Sequence, residues 1–256
     1  SRAPSASGAR YAGAGGSTVF WDRGDRALVT VDGQRLPECR RHSGSLYTAN
    51  GTEPGWRVTI GPVRLRLEAD YGQRIVETAT PAPEAGPDDA AYYRAEDGGQ
   101  RVTVRIVRRY CENAMSGKPF PDTVSVTLGG ERLDGCGGDP ATLLTGRAWR
   151  VVTLGGAQVP PSAAPTMTFA ADGSVTGFDG CNRFHGRYHI TGIGIEFSAL
   201  ATTRMACPGG GDDLARRLHD RLADVELFRL DRDGRLLLGS HGQADGIVAV
   251  RSPADQ

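Results

Sequence analysis

Apolar and polar residues alternate along most of this chain, at the period of two that a half-buried strand requires. Trp56-Arg-Val-Thr-Ile60 and Val63-Arg-Leu-Arg-Leu-Glu-Ala69 are the plainest cases. The same signal predicts strands near Ser17–Trp21, Arg26–Asp32, Ala91–Ala95, Val102–Val107 and Val124–Leu128. In the last third it returns at Arg150–Leu154, Pro165–Ala170, Ser174–Phe178, Leu227–Leu230, Arg235–Leu238 and Gly246–Arg251. Asp32-Gly33 and Asp172-Gly173 are two-residue hairpin signals, because both turn positions need positive φ. Only one stretch changes period. After Gly211, residues Leu214, Leu218, Leu222 and Val225 form a single helical stripe, with Asp212 or Asp213 placed to cap the first turn. The pattern therefore predicts a mainly β chain with one packed helix (α+β), built as several small antiparallel sheet or barrel modules.

A length of 256 residues suits two domains or three small ones, and 36 glycines with 15 prolines suit many short strands and tight turns. Thirty basic and thirty acidic residues leave a formal net charge of zero, which argues against a nucleic-acid partner. Lys118 is the only lysine, which reads as arginine-biased composition rather than function. No apolar run reaches the 18 residues a membrane span needs, so any membrane attachment is expected through a lipid anchor outside this chain.

Five cysteines sharpen the picture. Cys111 with Cys136, and Cys181 with Cys207, each bracket one local unit, as staples on small β modules in an oxidising compartment would. Each bridge would contribute about 3 kcal/mol in the chain-entropy account. Cys39 is left over, either reduced and buried or paired upstream of Ser1.

Candidate chemistry is sparse. Cys181, His185 and His189 recur every four residues and would share one strand face, a conceivable zinc set that a disulfide at Cys181 would dismantle. No metal and no cofactor is expected. His219 falls off the leucine stripe beside charged neighbours and is expected in solvent, as are the loop acids Glu112, Asp122 and Asp139. Met115 and Phe120 are expected to plug a barrel end, and Trp56 and Trp149 to lie in cores. No nucleophile elbow, phosphate loop or dinucleotide fingerprint occurs, so catalysis is not expected.

Three resemblances organise these modules. Ser7-Gly-Ala-Arg-Tyr11 and Val19-Phe-Trp-Asp-Arg-Gly-Asp-Arg-Ala-Leu28, ending in Val31-Asp-Gly33, resemble the second half of the membrane-bound c-type lysozyme inhibitor (MliC-like) family. That family is a small β-barrel on bacterial lipoproteins whose two loops enter the lysozyme cleft. The resemblance implies that Ser7 and Arg23 would face the enzyme's acidic residues, Arg23 standing where the family has lysine, with Tyr11 and Trp21 bracing the loops. Residues 48–138, with the entry GTEPGW, the loop CENAMSGKPFP and a Gly-Cys-Gly ending, resemble an uncharacterised bacterial envelope-protein family. LTGRAWRV (144–151), GFDGCNRFHGRY (177–188) and TTRMACP (202–208), followed by the helix and the Leu-Leu-Leu strand, are similar to the META domain of the HslJ-like lipoproteins. Its members are linked to stress tolerance without demonstrated catalysis.

The expected layout is thus a partial inhibitor-like module at 1–43, an envelope-family domain at 48–140 and a META domain at 143–252. The expected function is a non-catalytic exported envelope lipoprotein of the periplasm or outer membrane, acting in stress tolerance. Its expected partner is a c-type lysozyme or another envelope protein. A periplasmic scaffold and a hydrolase with a site between modules are the alternatives.

Overall fold

The computed structural model describes residues 2–3, 9–13, 15–22, 26–36, 39–40, 46–207, 211–241 and 246–252. The chain divides into two compact units, 1–46 and 47–256.

The first unit is one antiparallel sheet: β1 (Arg2–Ala3), β2 (Ala9–Ala12), β3 (Val19–Asp22), β4 (Arg26–Val31) and β5 (Gln34–Arg35) in that order, with β6 (Cys39–Arg40) on β4. The β4–β5 turn is the predicted one. Asp32 (φ 50°) and Gly33 (φ 79°) supply the two left-handed positions that a tight hairpin matching strand twist needs. Among the side chains described in this unit (9–13, 15–21, 27–36 and 46), none is buried.

The second unit holds two large sheets and a short two-stranded one. Its first is built from β7 (Tyr47–Thr52), β8 (Gly55–Ile60), β9 (Arg64–Ala69), β10 (Arg74–Ala79), β11 (Glu84–Ala85), β12 (Ala91–Asp97), β13 (Gln100–Val107), β16 (Asp122–Leu128) and β17 (Glu131–Gly137). The short strands β14 (Cys111–Glu112) and β15 (Pro119–Phe120) form a separate hairpin between β13 and β16. The nine strands run β10-β9-β8-β7-β17-β16-β13-β12-β11, and the sheet curls until β10 approaches β12. Alternation decides what lies inside. Val58, Leu65, Leu67, Val104, Val124 and Val126 are fully buried, while Arg57, Arg64 and Arg66 stand outside. Gly51 lets Trp56 close one end: a Cβ there would lie 2.1 Å from the Trp56 Nε1 that donates to Asp134 O. Tyr47 and Thr48 open β7, the seam that joins β8 to β17.

The C-terminal sheet comprises β18 (Trp149–Leu154), β19 (Ala157–Gln158), β20 (Thr166–Phe169), β21 (Ser174–Phe178), β22 (Arg183–Ile190), β23 (Ile195–Phe197), β24 (Ala201–Thr202), β25 (Leu227–Leu230), β26 (Leu236–Gly239) and β27 (Ile247–Arg251). Its main path is β23-β22-β21-β20-β18-β27-β26-β25, with β19 on β18 and β24 on β22. It curls far enough for Ile195 N to donate to Glu226 O at 3.0 Å, just before β25. The helix α1 (Gly211–Ala223) lays Leu218 and Leu222 into the same core as Trp149, Met167, Phe184 and Leu236. Asp172-Gly173 lies within a four-residue connection, not a two-residue turn: Ala170 N donates to Ser174 O, and the Asp172 carboxylate accepts from Ser174 N and Oγ. A backbone turn in which Gly173 N donates to Ala170 O at 3.1 Å, with Gly173 at φ 81°, closes the connection, and the Asp172 side chain reinforces it.

Among the described residues no helix is long and apolar enough to cross a membrane.

Candidate functional site

β2 and β3 carry the candidate partner-facing residues. Their register opposes Tyr11 to Phe20 and Arg10 to Trp21, and β4 sets Leu28 opposite Trp21. Directly opposed residues share a sheet face and successive residues alternate. Tyr11 and Phe20 therefore stand on one face, 47% and 43% exposed, with ring centroids 6.4 Å apart. Trp21 stands on the other, half-buried, with Arg10 and Leu28. Tyr11 and Trp21, which the resemblance implies brace the loops, thus stand on opposite faces of the sheet. The ring beside Tyr11 is Phe20, which sequence reading left as ordinary strand; strand parity was the signal that could have singled it out. Ser7 and Arg23 lie outside the described residues.

The two cysteine pairs are disulfides. Cys111–Cys136 spans 25 residues and Cys181–Cys207 spans 26, each with Cα atoms 5.6 Å apart. The first pins the loop between β13 and β16 against β17, and that loop reaches the C-terminal sheet. Tyr110 OH accepts from Leu230 N at 3.1 Å and donates to Glu112 Oε1 at 2.7 Å. The lone Lys118 donates from Nζ to Thr191 O. Burial lowers its pKa, and nearby Asp139 opposes the shift. Met115, expected inside, is 81% exposed at the loop's tip, because Asn113 Oδ1 turns the loop outward by accepting from Met115 N and Ser116 N. Phe120 is half-buried.

Asp122 departs further from expectation. It is buried and accepts from Tyr47 OH at 3.0 Å. Burial raises its pKa, with the Tyr47 hydrogen bond and the Arg108 charge opposing. Burial and the same carboxylate push the Tyr47 phenol far above its ordinary value. Asp139 caps the short turn Pro140–Leu143 by accepting from Ala141 N, and Glu112 is held by Tyr110.

The second disulfide belongs to a tighter network. The buried Asp179 accepts through Oδ1 from Cys181 N (2.9 Å) and Asn182 N (2.6 Å), while Oδ2 meets His219 Nε2 at 3.1 Å. His219 is not in free solvent; its ring also packs edge-on against Phe184, centroids 5.4 Å apart. Its place one residue past Leu218 puts it on the flank of the buried stripe. Asn182 Oδ1 accepts from Thr203 Oγ1 (2.9 Å) and Met205 N (2.8 Å), tying the TTRMACP segment to the start of β22. His185 and His189 lie exposed on β22, and Cys181, their would-be partner, is bonded to Cys207. Cys181, Cys207 and Asp212 do cluster, but a disulfide offers no thiolate to a cation.

No curated protein matches the chain. A solved structure, the "NMR structure of the protein from Burkholderia xenovorans", is similar over 44% of this chain and 86% of that one, at 24% identity and a TM-score of 0.37. The envelope-family resemblance of residues 48–138 is not confirmed by these comparisons. Two family models do match: residues 142–253 fit the META domain, and residues 1–38 fit part of the membrane-bound lysozyme-inhibitor of c-type lysozyme, so the chain joins a C-terminal META domain to a partial inhibitor domain.

Proposed function

We propose that this chain is a non-catalytic exported envelope protein, attached to the membrane by a lipid anchor outside this sequence. Its N-terminal loops engage a c-type lysozyme, and its META domain serves stress tolerance. The observation that carries the reading is the inhibitor-family match at 1–38, which supports an envelope location and a lysozyme partner. The exposed Tyr11–Phe20 pair supports it further, since paired aromatics bury much area at low entropic cost in a protein contact. In this reading Arg23 and Ser7 enter the acidic cleft, and the fork of Arg23 meets a carboxylate bidentately where a lysine would act as a point charge.

The test is lysozyme inhibition by the full chain, its Arg23→Ala variant and its Tyr11→Ala variant. The parent is expected to inhibit, Arg23→Ala to lose most of that inhibition, and Tyr11→Ala to weaken it. A parent without inhibition, or an Arg23→Ala variant that inhibits equally, removes the lysozyme reading.

A scaffold role has one specific support. The disulfide-pinned loop joins the two sheets of residues 47–256 through Tyr110 and Lys118, presenting two β modules as one body.

A further inference from the structure

We propose that the outer face of β20, β21 and β22 in the C-terminal domain is a binding groove for an acidic polysaccharide. Cross-strand register builds it. One row runs Thr166, Phe178, Arg183 and the next runs Thr168, Thr176, His185, all on the face turned away from the core. Adjacent strands lie about 4.8 Å apart, and same-face neighbours along a strand about 6.7 Å. The result is a grid of hydrogen-bonding groups at the scale of a sugar ring.

β24 borders this face. It pairs with β22 through Phe184↔Thr202, and Thr202 and Thr203 help to line an open cleft of about 430 Å³, within the range of small-ligand clefts. That border is held rigidly. Asn182 clamps Thr203 and Met205, and the Cys181–Cys207 bridge closes the segment behind them. This gives residues 202–207, otherwise without a role, a part in the site, and a border set before binding lowers the ordering cost of the complex.

The chemistry of the lining selects the occupant. The hydroxyls of Thr166, Thr168 and Thr176 make no hydrogen bond among the described residues, so three groups able both to donate and to accept stand together on one face. Phe178 adds a half-buried apolar surface for the C–H face of a sugar. None of the ten lining residues is acidic, yet Arg183 and His185 are among them, and Arg150 extends the first row from β18. Among the described residues, neither Arg183 nor Arg150 has a carboxylate within ion-pair distance. The outer face of the preceding sheet sets the contrast. There Arg64 and Arg66 meet Glu77, Arg74 meets Glu131 and Arg94 meets Glu84. Those arginines are met by the chain's own acids; Arg183 and Arg150 are not, which leaves an acid for a ligand to bring. A neutral glycan would leave those cations unused, and a nucleic acid would need a longer basic track than this neutral chain carries.

Calorimetric titration of the full chain with tetragalacturonate, a sulfated maltotetraose and plain maltotetraose tests the proposal. At least one acidic sugar is expected to bind and plain maltotetraose to bind about tenfold weaker or not at all; which acid binds identifies the source of the charge. Arg183→Gln is expected to weaken the acidic sugar about tenfold, and Thr176→Val, which keeps the β-branched shape, about threefold. Both positions are exposed, so melting temperatures should match the parent. Failure of both acidic sugars to bind, or unchanged affinity in both variants, overturns the proposal. A single-stranded oligonucleotide that binds more tightly than either sugar, with no response to Thr176→Val, overturns it in favour of a generic polyanion surface. None of these readouts depends on lysozyme.

Discussion

The sheet of residues 1–46 and the C-terminal sheet are written in the same alternating code, and they differ in what covers them. Around the C-terminal sheet, α1 and the curl of the strands bury Trp149, Met167, Leu218, Leu222 and Leu236 almost completely. The N-terminal sheet has the pairing and the tight hairpin, but none of its described side chains reaches burial, and Tyr11, Phe20, Val31 and Leu36 are exposed. Period-two patterning is enough to set strand register. Stability comes from apolar area removed from water, which requires a second layer over the face. The two regions therefore differ in what they leave accessible: the covered sheet keeps its apolar side chains in a core, and the other leaves Tyr11 and Phe20 exposed.

Core truncation gives the largest expected effect. Leu218→Ala should cost the C-terminal domain about 2–5 kcal/mol, whereas Leu28→Ala, on a half-buried strand, should cost about 1 kcal/mol or less. Denaturant unfolding resolves the regions by fluorescence, since Trp21, Trp56 and Trp149 fall one in each. Equal losses in the two variants would break the contrast.

The disulfides come next. Replacing Cys181 and Cys207 together by alanine should lower stability by about 3 kcal/mol, and the Cys111/Cys136 pair by nearly the same, because the loops differ by one residue. The Trp149 and Trp56 transitions should shift in turn, and reductant should reproduce both shifts in the parent. Midpoints that ignore reductant would contradict the staple reading.

The smallest effect concerns Asp122. Burial holds its folded pKa above the unfolded value. The protonated carboxyl is therefore favoured by the fold, a contribution complete below the unfolded pKa and lost as pH rises through the folded one. Asp122→Asn keeps an acceptor for Tyr47 and removes the charge. It should match the parent at acid pH and exceed it near neutrality by on the order of 1 kcal/mol. A variant no better than the parent at neutral pH would mean that Arg108 outweighs burial.

Much of the architecture was legible in local pattern. The strand cores, the Asp32-Gly33 hairpin, the Leu214/Leu218/Leu222 stripe and the two cysteine pairs all rest on interactions within a few residues or within one small module. The candidate sites were less legible. His219 and Asp122 look like surface charges in a list of residues. They are held inside by Asp179, 40 residues away, and by Tyr47, 75 residues away. The Thr/Arg groove was invisible because threonine is an ordinary outer-face strand residue. Only the register of three strands brings those side chains together.

What the sequence alone determined, then, is where strands, turns, helix and cross-links lie, because hydrophobic period, turn stereochemistry and cysteine spacing act over short distances. Which faces are covered, which polar side chains are held inside and which hydroxyls stand together was decided only by tertiary structure. Those outcomes depend on contacts between residues tens of positions apart, and on the layer that does or does not close over each sheet.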